Sequence, residues 1–312
     1  MPKLTRDILD IADNLDVGSI QANPILDIAA RFWEQDRYAA FRVCYLTMRW
    51  IDDLVDDVRK ETGSVPAAAA NRLRSTLIDW LGSVKRGEKD GYFHHRILEV
   101  IRYYAIPIWP WERLCKAMVY DLNHNGFSSF RRFLIYAEGA AVAPAAVFLH
   151  LCGVEVRGDI CGPPSFDIRN AARALARFCY LVHILRDFQK DHLENLNYFA
   201  DNHLAEYSLT PADLRLIAEG GQIPQAFRNL IRRYVDYAGY YRGLARKTID
   251  GISPHLQHRY QLSLEIIYGM YLQVFERIDP EKGGFSREQL TPSAPQVHER
   301  VMRIVLDFAG NR

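Results

Sequence analysis

The run Met48-Arg49-Trp50-Ile51-Asp52-Asp53-Leu54-Val55-Asp56-Asp57 packs four carboxylates into six positions. No Gly or Pro interrupts Ile25 to Val58, so one long helix is predicted there. Residues four apart on a helix share a face, which sends Asp52 and Asp56 one way and Asp53 and Asp57 another. Like charges at that spacing cost an isolated helix about 0.2–0.5 kcal/mol. Such a pair persists where water surrounds it or where a cation sits between the groups. Trp50, Ile51, Leu54 and Val55 flank the acids, so this part of the helix is expected to be packed. A hard divalent cation with oxygen ligands, Mg²⁺ first, then resolves the conflict.

The same spacing returns at Asp187 and Asp191, in Leu181-Val182-His183-Ile184-Leu185-Arg186-Asp187-Phe188-Gln189-Lys190-Asp191. Arg186 stands beside this pair, much as Arg49 stands three residues before Asp52. Either pair alone also fits a solvated helix face. Together, each at the polar end of an apolar helix, they fit a box of carboxylates around several Mg²⁺ ions. Open positions on such ions suit diphosphate oxygens, with the arginines and nearby tyrosines holding a leaving pyrophosphate. The metal acts there as a Lewis acid, stabilising charge on the departing group.

The elements that must carry these residues read as helices throughout. Thr5–Leu15 is short and amphipathic. Asn23 is an N-cap candidate, with Pro24 at the first position of the long helix. Thr62–Pro66 is a turn, and Ala67–Val84 is helical up to the polar loop Lys85–Gly91. Phe93–Tyr104 follows, then a corner between Pro107 and Pro110, then Trp111–Asn123, broken at Gly126. Phe130–Cys152 is apolar, with a kink expected at Pro144. Gly153–Pro164 is a loop, and Asp167–Lys190 a second long helix. Pro211 opens a helix, and Gln225–Ile249, Pro254–Arg277 and Pro295–Phe308 complete the set. No segment alternates with period two for long enough to make a sheet. No repeat or linker divides the chain. The expectation is one all-α domain over residues 1–312, of about ten helices or more.

Bulk properties narrow the field. Of 312 residues, 49% are hydrophobic, enough for a large core, and the net charge of +1 offers no nucleic-acid stripe. Cys44, Cys115, Cys152, Cys161 and Cys179 lack CxxC spacing and are odd in number, which favours free thiols and a cytoplasmic location. The N-terminus is too acidic and interrupted for a signal peptide. No apolar run is expected to reach the roughly 18 residues of a membrane span. An apolar substrate would still bring the chain to a membrane surface.

On these residues the chain resembles the squalene synthase and phytoene synthase family. That family carries Arg-x-x-Asp-Asp-x-x-Asp in an early helix, matched by Arg49 to Asp56, with Tyr45 one turn before. Its second motif resembles His183 to Asp191, followed at the usual distance by Tyr198-Phe199. Met118–Leu122 is similar to an intervening Asp-Leu segment, and Ile267-Tyr268 to a late Ile-Tyr pair. The similarity runs from about Arg31 to Ile278. It implies an all-α isoprenoid-synthase bundle around a central cavity and Mg²⁺-dependent head-to-head joining of two prenyl diphosphates, farnesyl diphosphate first. It assigns Asp52, Asp56, Asp187 and Asp191 to the metal. Tyr45, Arg49, Arg186, Tyr268 and His183 become candidate catalytic residues. Arg49, Asp53, Arg186, Tyr136 and Glu138 are placed around the substrate, and Ala140–Leu151 and Ala174–Leu181 along the isoprenoid tails.

Several positions depart from the family pattern. His183 replaces the usual asparagine, Tyr180 a glutamine, Lys190 a glutamate and Leu196 an arginine. Glu138 or Gly139 stands where an aromatic residue assists the cyclopropane-forming step. Diphosphate capture survives these changes, while the second half-reaction is left open. Glu138 in an Ala-rich helix needs an arginine partner or a role as general base. The cluster Tyr234, Tyr237, Tyr240 and Tyr241 reads as packing. Gly220-Gly221 and Gly283-Gly284 follow no strand, so no dinucleotide fingerprint marks a site for NADPH, although family members that use NADPH lack one too. Competing readings are a terpene cyclase, a prenyltransferase to another acceptor, and a non-catalytic assembly or lipid-binding relative. A di-iron bundle is excluded, because no Glu-x-x-His occurs. Oligomeric state is left open.

Overall fold

A computed structural model describes residues 3–20, 24–62, 65–88, 92–157 and 160–310. Helices dominate. In chain order they are α1 (Lys3–Asp13), α2 (Pro24–Ala30), α3 (Gln35–Thr62), α4 (Ala67–Arg86), α5 (Tyr92–Tyr103), α6 (Trp109–Asp121), α7 (Phe130–Ala137), α8 (Ala143–Gly153), α9 (Ile168–Arg186), α10 (Phe188–Leu193), α11 (Asp201–Glu206), α12 (Pro211–Ala218), α13 (Gln225–Ile252), α14 (His258–Phe275), α15 (Arg287–Leu290) and α16 (Ala294–Gly310). The all-α expectation holds with one amendment. The loop after α8 contains a small antiparallel hairpin, β1 (Glu155–Arg157) with β2 (Ile160–Gly162), Val156 facing Cys161.

The long first helix is in fact two. α2 stops at Ala30 and α3 starts at Gln35. The break has a tertiary cause: Phe32 and Trp33, neighbours in sequence, are both buried. The Trp33 indole N–H donates to Ser263 Oγ at 2.7 Å, and that hydroxyl donates to the Ala29 carbonyl at 2.7 Å. Glu34 pairs with Arg259 and accepts from Tyr260. Side chains of α14 therefore hold Phe32–Glu34 out of helical register, which no local propensity foretells. Pro24 opens α2 as expected, whereas the proposed cap Asn23 and the turn residues Gly63-Ser64 lie outside the described residues.

The apolar stretch Phe130–Cys152 is interrupted earlier than Pro144. A π turn, Glu138–Val142, separates α7 from α8. Proline cannot donate to the carbonyl four residues back, and the widened turn absorbs the mismatch. Gly139 lets α6 lie close against the turn: a Cβ there would lie 2.1 Å from the Arg113 carbonyl oxygen. Phe130–Gly153 is long and apolar enough to cross a membrane by length and composition, contrary to the expectation of no such run. With 67% of its apolar window buried inside the protein, it is a core element.

Asp167 caps α9 by accepting from the Asn170 N–H at 3.0 Å. α9 ends at Arg186, and Asp187, at φ −92° and ψ 8°, turns the chain into α10. The predicted helix Asp167–Lys190 is thus divided at the second acidic motif. α9 packs on α13, α8 and α14, while α3 packs on α5, α6 and α8. The helices bearing the two aspartate motifs stand apart, with α8 touching both. All five cysteines are free thiols.

Candidate active site

The first motif rides on the half-buried side of α3. Ile51 and Val55 point into the core, which turns the acids to the opposite side. Arg49 Nη2 donates to Asp53 Oδ1 at 2.6 Å, and Nη1 reaches Asp52 Oδ2 at 3.4 Å. These groups are over one-third exposed, so the pairs aim the arginine more than they stabilise the fold. One turn earlier, Tyr45 stacks on Phe41 at 5.7 Å. Burial raises its hydroxyl pKa, opposed by Arg49.

The second motif is more enclosed. Arg186 forks onto Asp187, Nε to Oδ1 at 2.7 Å and Nη2 to Oδ2 at 2.8 Å. The same Nη2 donates to His183 Nδ1 at 2.9 Å, so the imidazole is neutral, with its proton on Nε2, 3.2 Å from Asp187 Oδ2. Burial, then the charge of Arg186, pushes His183 down to about 4. Burial would raise Asp187, yet the Arg186 fork and its cationic neighbours hold it down to about 2. Asp191 differs: burial first and Asp187 second drive it well above the carboxylate range. Lys190 is exposed.

Between the motifs, at the end of α6, lies Asp121. Its Oδ2 accepts from the Tyr136 hydroxyl at 2.7 Å, and Arg59 of α3 donates to its backbone carbonyl. Burial lifts Asp121 to about 7, with Asp52 and Asp56 adding to the rise. Tyr180 is raised by burial and then by Asp121, Asp191 and Asp52, so carboxylates of both motifs act on one phenol. Tyr198 senses Asp191, Asp121 and Asp56 in the same way. Tyr271 of α14 senses Arg186, Asp187 and Tyr45. The two acidic motifs therefore face a common wall of tyrosines.

Among the described residues, no three His, Cys, Asp or Glu side chains are gathered tightly enough to hold a metal alone. The donor set still fits Mg²⁺, which keeps several waters and is commonly bound through one or two carboxylates plus substrate phosphates. Asp191, buried and pushed toward neutrality by Asp187, marks surplus negative charge that such a cation would offset. Beside this wall opens a polar cavity of about 710 Å³, lined by Tyr120, His124, Arg132, Asn197 and Arg215 among others.

A family profile described as squalene/phytoene synthase matches residues 27–296. The chain belongs to the squalene/phytoene synthase family. It is 22% identical over 218 residues to phytoene synthase 1, chloroplastic, of Arabidopsis thaliana, covering 70% of this chain and 49% of that protein. It is 21% identical over 244 residues to phytoene synthase 1, chloroplastic, of Solanum lycopersicum, covering 78% and 56%. The chain thus spans about half the length of the curated relatives it matches. Among solved structures, a dehydrosqualene synthase in complex with ligand superposes with TM-score 0.67 at 15% identity, over 99% of this chain and 95% of that one. Squalene synthase HpnC from Alicyclobacillus acidocaldarius gives 0.63 at 16%, over 86% and 91%. At these identities the superpositions show the fold, that of helical isoprenoid synthases.

Tyr45, Arg49, Asp52, Asp53 and Asp56 lie together on α3, and His183, Arg186, Asp187 and Asp191 around the junction of α9 and α10. Tyr136 stands between them on Asp121. Two candidates lie elsewhere. Tyr268 packs on Phe178 at 5.6 Å, under the Arg246 guanidinium at 5.2 Å. Glu138 is turned into a cluster of arginines from α9. Leu196 serves through its backbone N–H, which donates to the Asp191 carbonyl at 2.8 Å. Ala140–Leu151 and Ala174–Leu181 contribute to the core, with Phe148 against Trp33 and Phe41. The sequence motifs give Asp121 and Tyr271 no role. Asp121 stood in a recognised segment, and Tyr271 lies one helical turn beyond Tyr268.

Proposed function

We propose that this chain ionises a prenyl diphosphate with Mg²⁺ and joins the allylic fragment head to head to a second one, most simply farnesyl with farnesyl. The observation that carries this reading is the convergence of carboxylates from both aspartate motifs on Tyr180 and Tyr198, with Tyr136 beside them on Asp121. Bound Mg²⁺ would supply Lewis-acid stabilisation of the departing pyrophosphate. Asp52 and Asp56 would hold it from α3, and Asp187 and Asp191 from the opposite wall. Arg49 and Arg186 are placed to exchange a carboxylate partner for diphosphate oxygens, which a guanidinium grips equally well. The tyrosine faces offer electron density to an allylic cation without presenting a nucleophile. The Tyr136 oxygen would accept the proton lost when the cyclopropane ring closes while its own hydroxyl proton passes to the Asp121 carboxylate. His183 fixes the Arg186 fork from behind.

Incubation with farnesyl diphosphate and Mg²⁺, with and without NADPH, tests the proposal. Pyrophosphate and a C30 product support it, and the NADPH arm decides whether the product is a cyclopropyl diphosphate, an alcohol or a reduced hydrocarbon. No turnover of C15 or C20 diphosphates would sink it. The polar cavity beside Tyr120 favours one second reading, prenyl transfer to a hydrophilic acceptor. A prenylated non-isoprenoid product would identify that case.

A further inference from the structure

A second charged cluster stands away from the aspartates. Between Ile168 and Arg186, α9 carries no acidic residue, and Arg169, Arg173 and Arg177 form a stripe at four-residue spacing. All three meet one carboxylate, Glu138 of the π turn. Arg173 forks onto it, Nε to Oε1 at 2.8 Å and Nη2 to Oε2 at 2.9 Å. Arg169 Nη2 reaches Oε2 at 3.2 Å, and Arg177 Nη2 reaches Oε1 at 3.4 Å. Those four bonds fill the acceptor capacity of Glu138. The next acid, Asp167, acts on Arg173 at a distance, while its own oxygens are taken by the backbone and side-chain nitrogens of Asn170.

Arg173 also donates through Nη1 to Asn170 Oδ1 at 3.2 Å, and the cluster still holds more cationic donors than acceptors. The Nε–H groups of Arg169 and Arg177 are buried without a partner. Both outer arginines are braced on aromatic rings, Arg169 4.9 Å over Trp109 and Arg177 5.5 Å over Tyr241, so their planes are fixed. Arg169 and Arg173 keep about a third of their side-chain surface open and Arg177 a quarter, while Glu138 keeps 10%. Negative charge is inside and the guanidinium edges are outside. Neutralising a buried glutamate requires one arginine. A second and third add mutual repulsion, which an incoming anion would offset.

We infer that Arg169, Arg173 and Arg177 form an oxyanion-binding site that takes a phosphate-type group on their outward edges, with Glu138 gathering the three guanidinium groups. By helical rise, Arg177 lies about 15 Å and Arg169 about 27 Å along α9 from Asp187, so this site is separate from the aspartates and does not rest on the proposed reaction. Free phosphate or pyrophosphate and the phosphate of a lipid headgroup share the chemistry it requires.

Titration calorimetry of the full chain at constant ionic strength, without Mg²⁺, with inorganic phosphate and with pyrophosphate, provides the test. A parallel arm measures sedimentation with phosphatidylglycerol or phosphatidylcholine vesicles. Saturable binding of a free anion, weakened about tenfold or more by Arg169→Gln with Arg177→Gln, supports a soluble ligand. Binding to phosphatidylglycerol vesicles alone, with the same sensitivity, assigns the site to a headgroup. Glu138→Gln should tighten binding severalfold, because it removes the competing negative charge; a purely structural cluster would show no such gain. Should the double variant or Glu138→Gln fail to fold by circular dichroism, the more exposed Arg169→Gln alone decides. No binding of any probe, or binding that no arginine variant weakens, overturns the inference.

Discussion

Asp121 and Tyr136 illustrate what single side chains contribute. The phenol donates to a carboxylate that burial pushes up to about 7, which under the proposed reaction would let it take up a proton near neutral pH. Tyr136→Phe removes the donor and keeps the ring. Under the proposed reaction it should lower kcat about 10²-fold or more with little change in KM, read from pyrophosphate release at saturating farnesyl diphosphate. Two buried histidines carry a stability prediction. His150 is 2.7 Å from the Tyr104 carbonyl through Nε2, and His203 Nδ1 lies 3.4 Å from the Tyr234 hydroxyl. Burial lowers both below their ordinary value of 6.5. The folded state then favours the neutral ring, so this stability is present above pH 6.5 and is lost as pH falls toward the depressed folded values. Melting curves from pH 7.5 down to 5 should show falling Tm, and His150→Gln should flatten that slope. An unchanged slope would remove His150 from the account.

At the level of elements, the π turn between α7 and α8 is the tightest junction. Its Gly139 sits where any Cβ meets the Arg113 carbonyl. Gly139→Ala should destabilise the chain by about 1–3 kcal/mol, the usual cost of overpacking, as a lower denaturant midpoint at unchanged m-value. A midpoint equal to the wild type would mean that α6 yields freely. The same junction shows what was readable in advance. Helical period and the Pro24 start are local patterns, and the structure reproduces them; α4 runs to Arg86, two residues past the expected end at Val84, and Gly87 caps it. The break at Arg31–Glu34 was hidden because its cause, Ser263, lies 230 residues from Trp33. An Ala-rich helix asks Glu138 for an arginine partner or a role as general base; the structure supplies the partner, but the pattern could not name three of them on a later helix. Pro144 announced an irregularity, and the π turn put it a few residues earlier. The resemblance points to Tyr268 through the Ile-Tyr pair, whereas packing of α14 brings Tyr271 near Arg186 and Asp187.

For the whole molecule, the arrangement depends on α3 and α9 being held apart and aligned by the elements between them. α8 packs against both, and α14 carries Tyr271 to the space between Tyr45 and Arg186. The central claim is that both acidic motifs serve one diphosphate. Calorimetry with a non-ionisable thio-analogue of farnesyl diphosphate, in a double-mutant cycle of Asp52→Asn and Asp187→Asn, tests it most directly. The account predicts Mg²⁺-dependent binding that either single variant weakens strongly, with the double variant little worse than the weaker single. Losses that simply add, or binding indifferent to Mg²⁺ or to one of the two motifs, would contradict it.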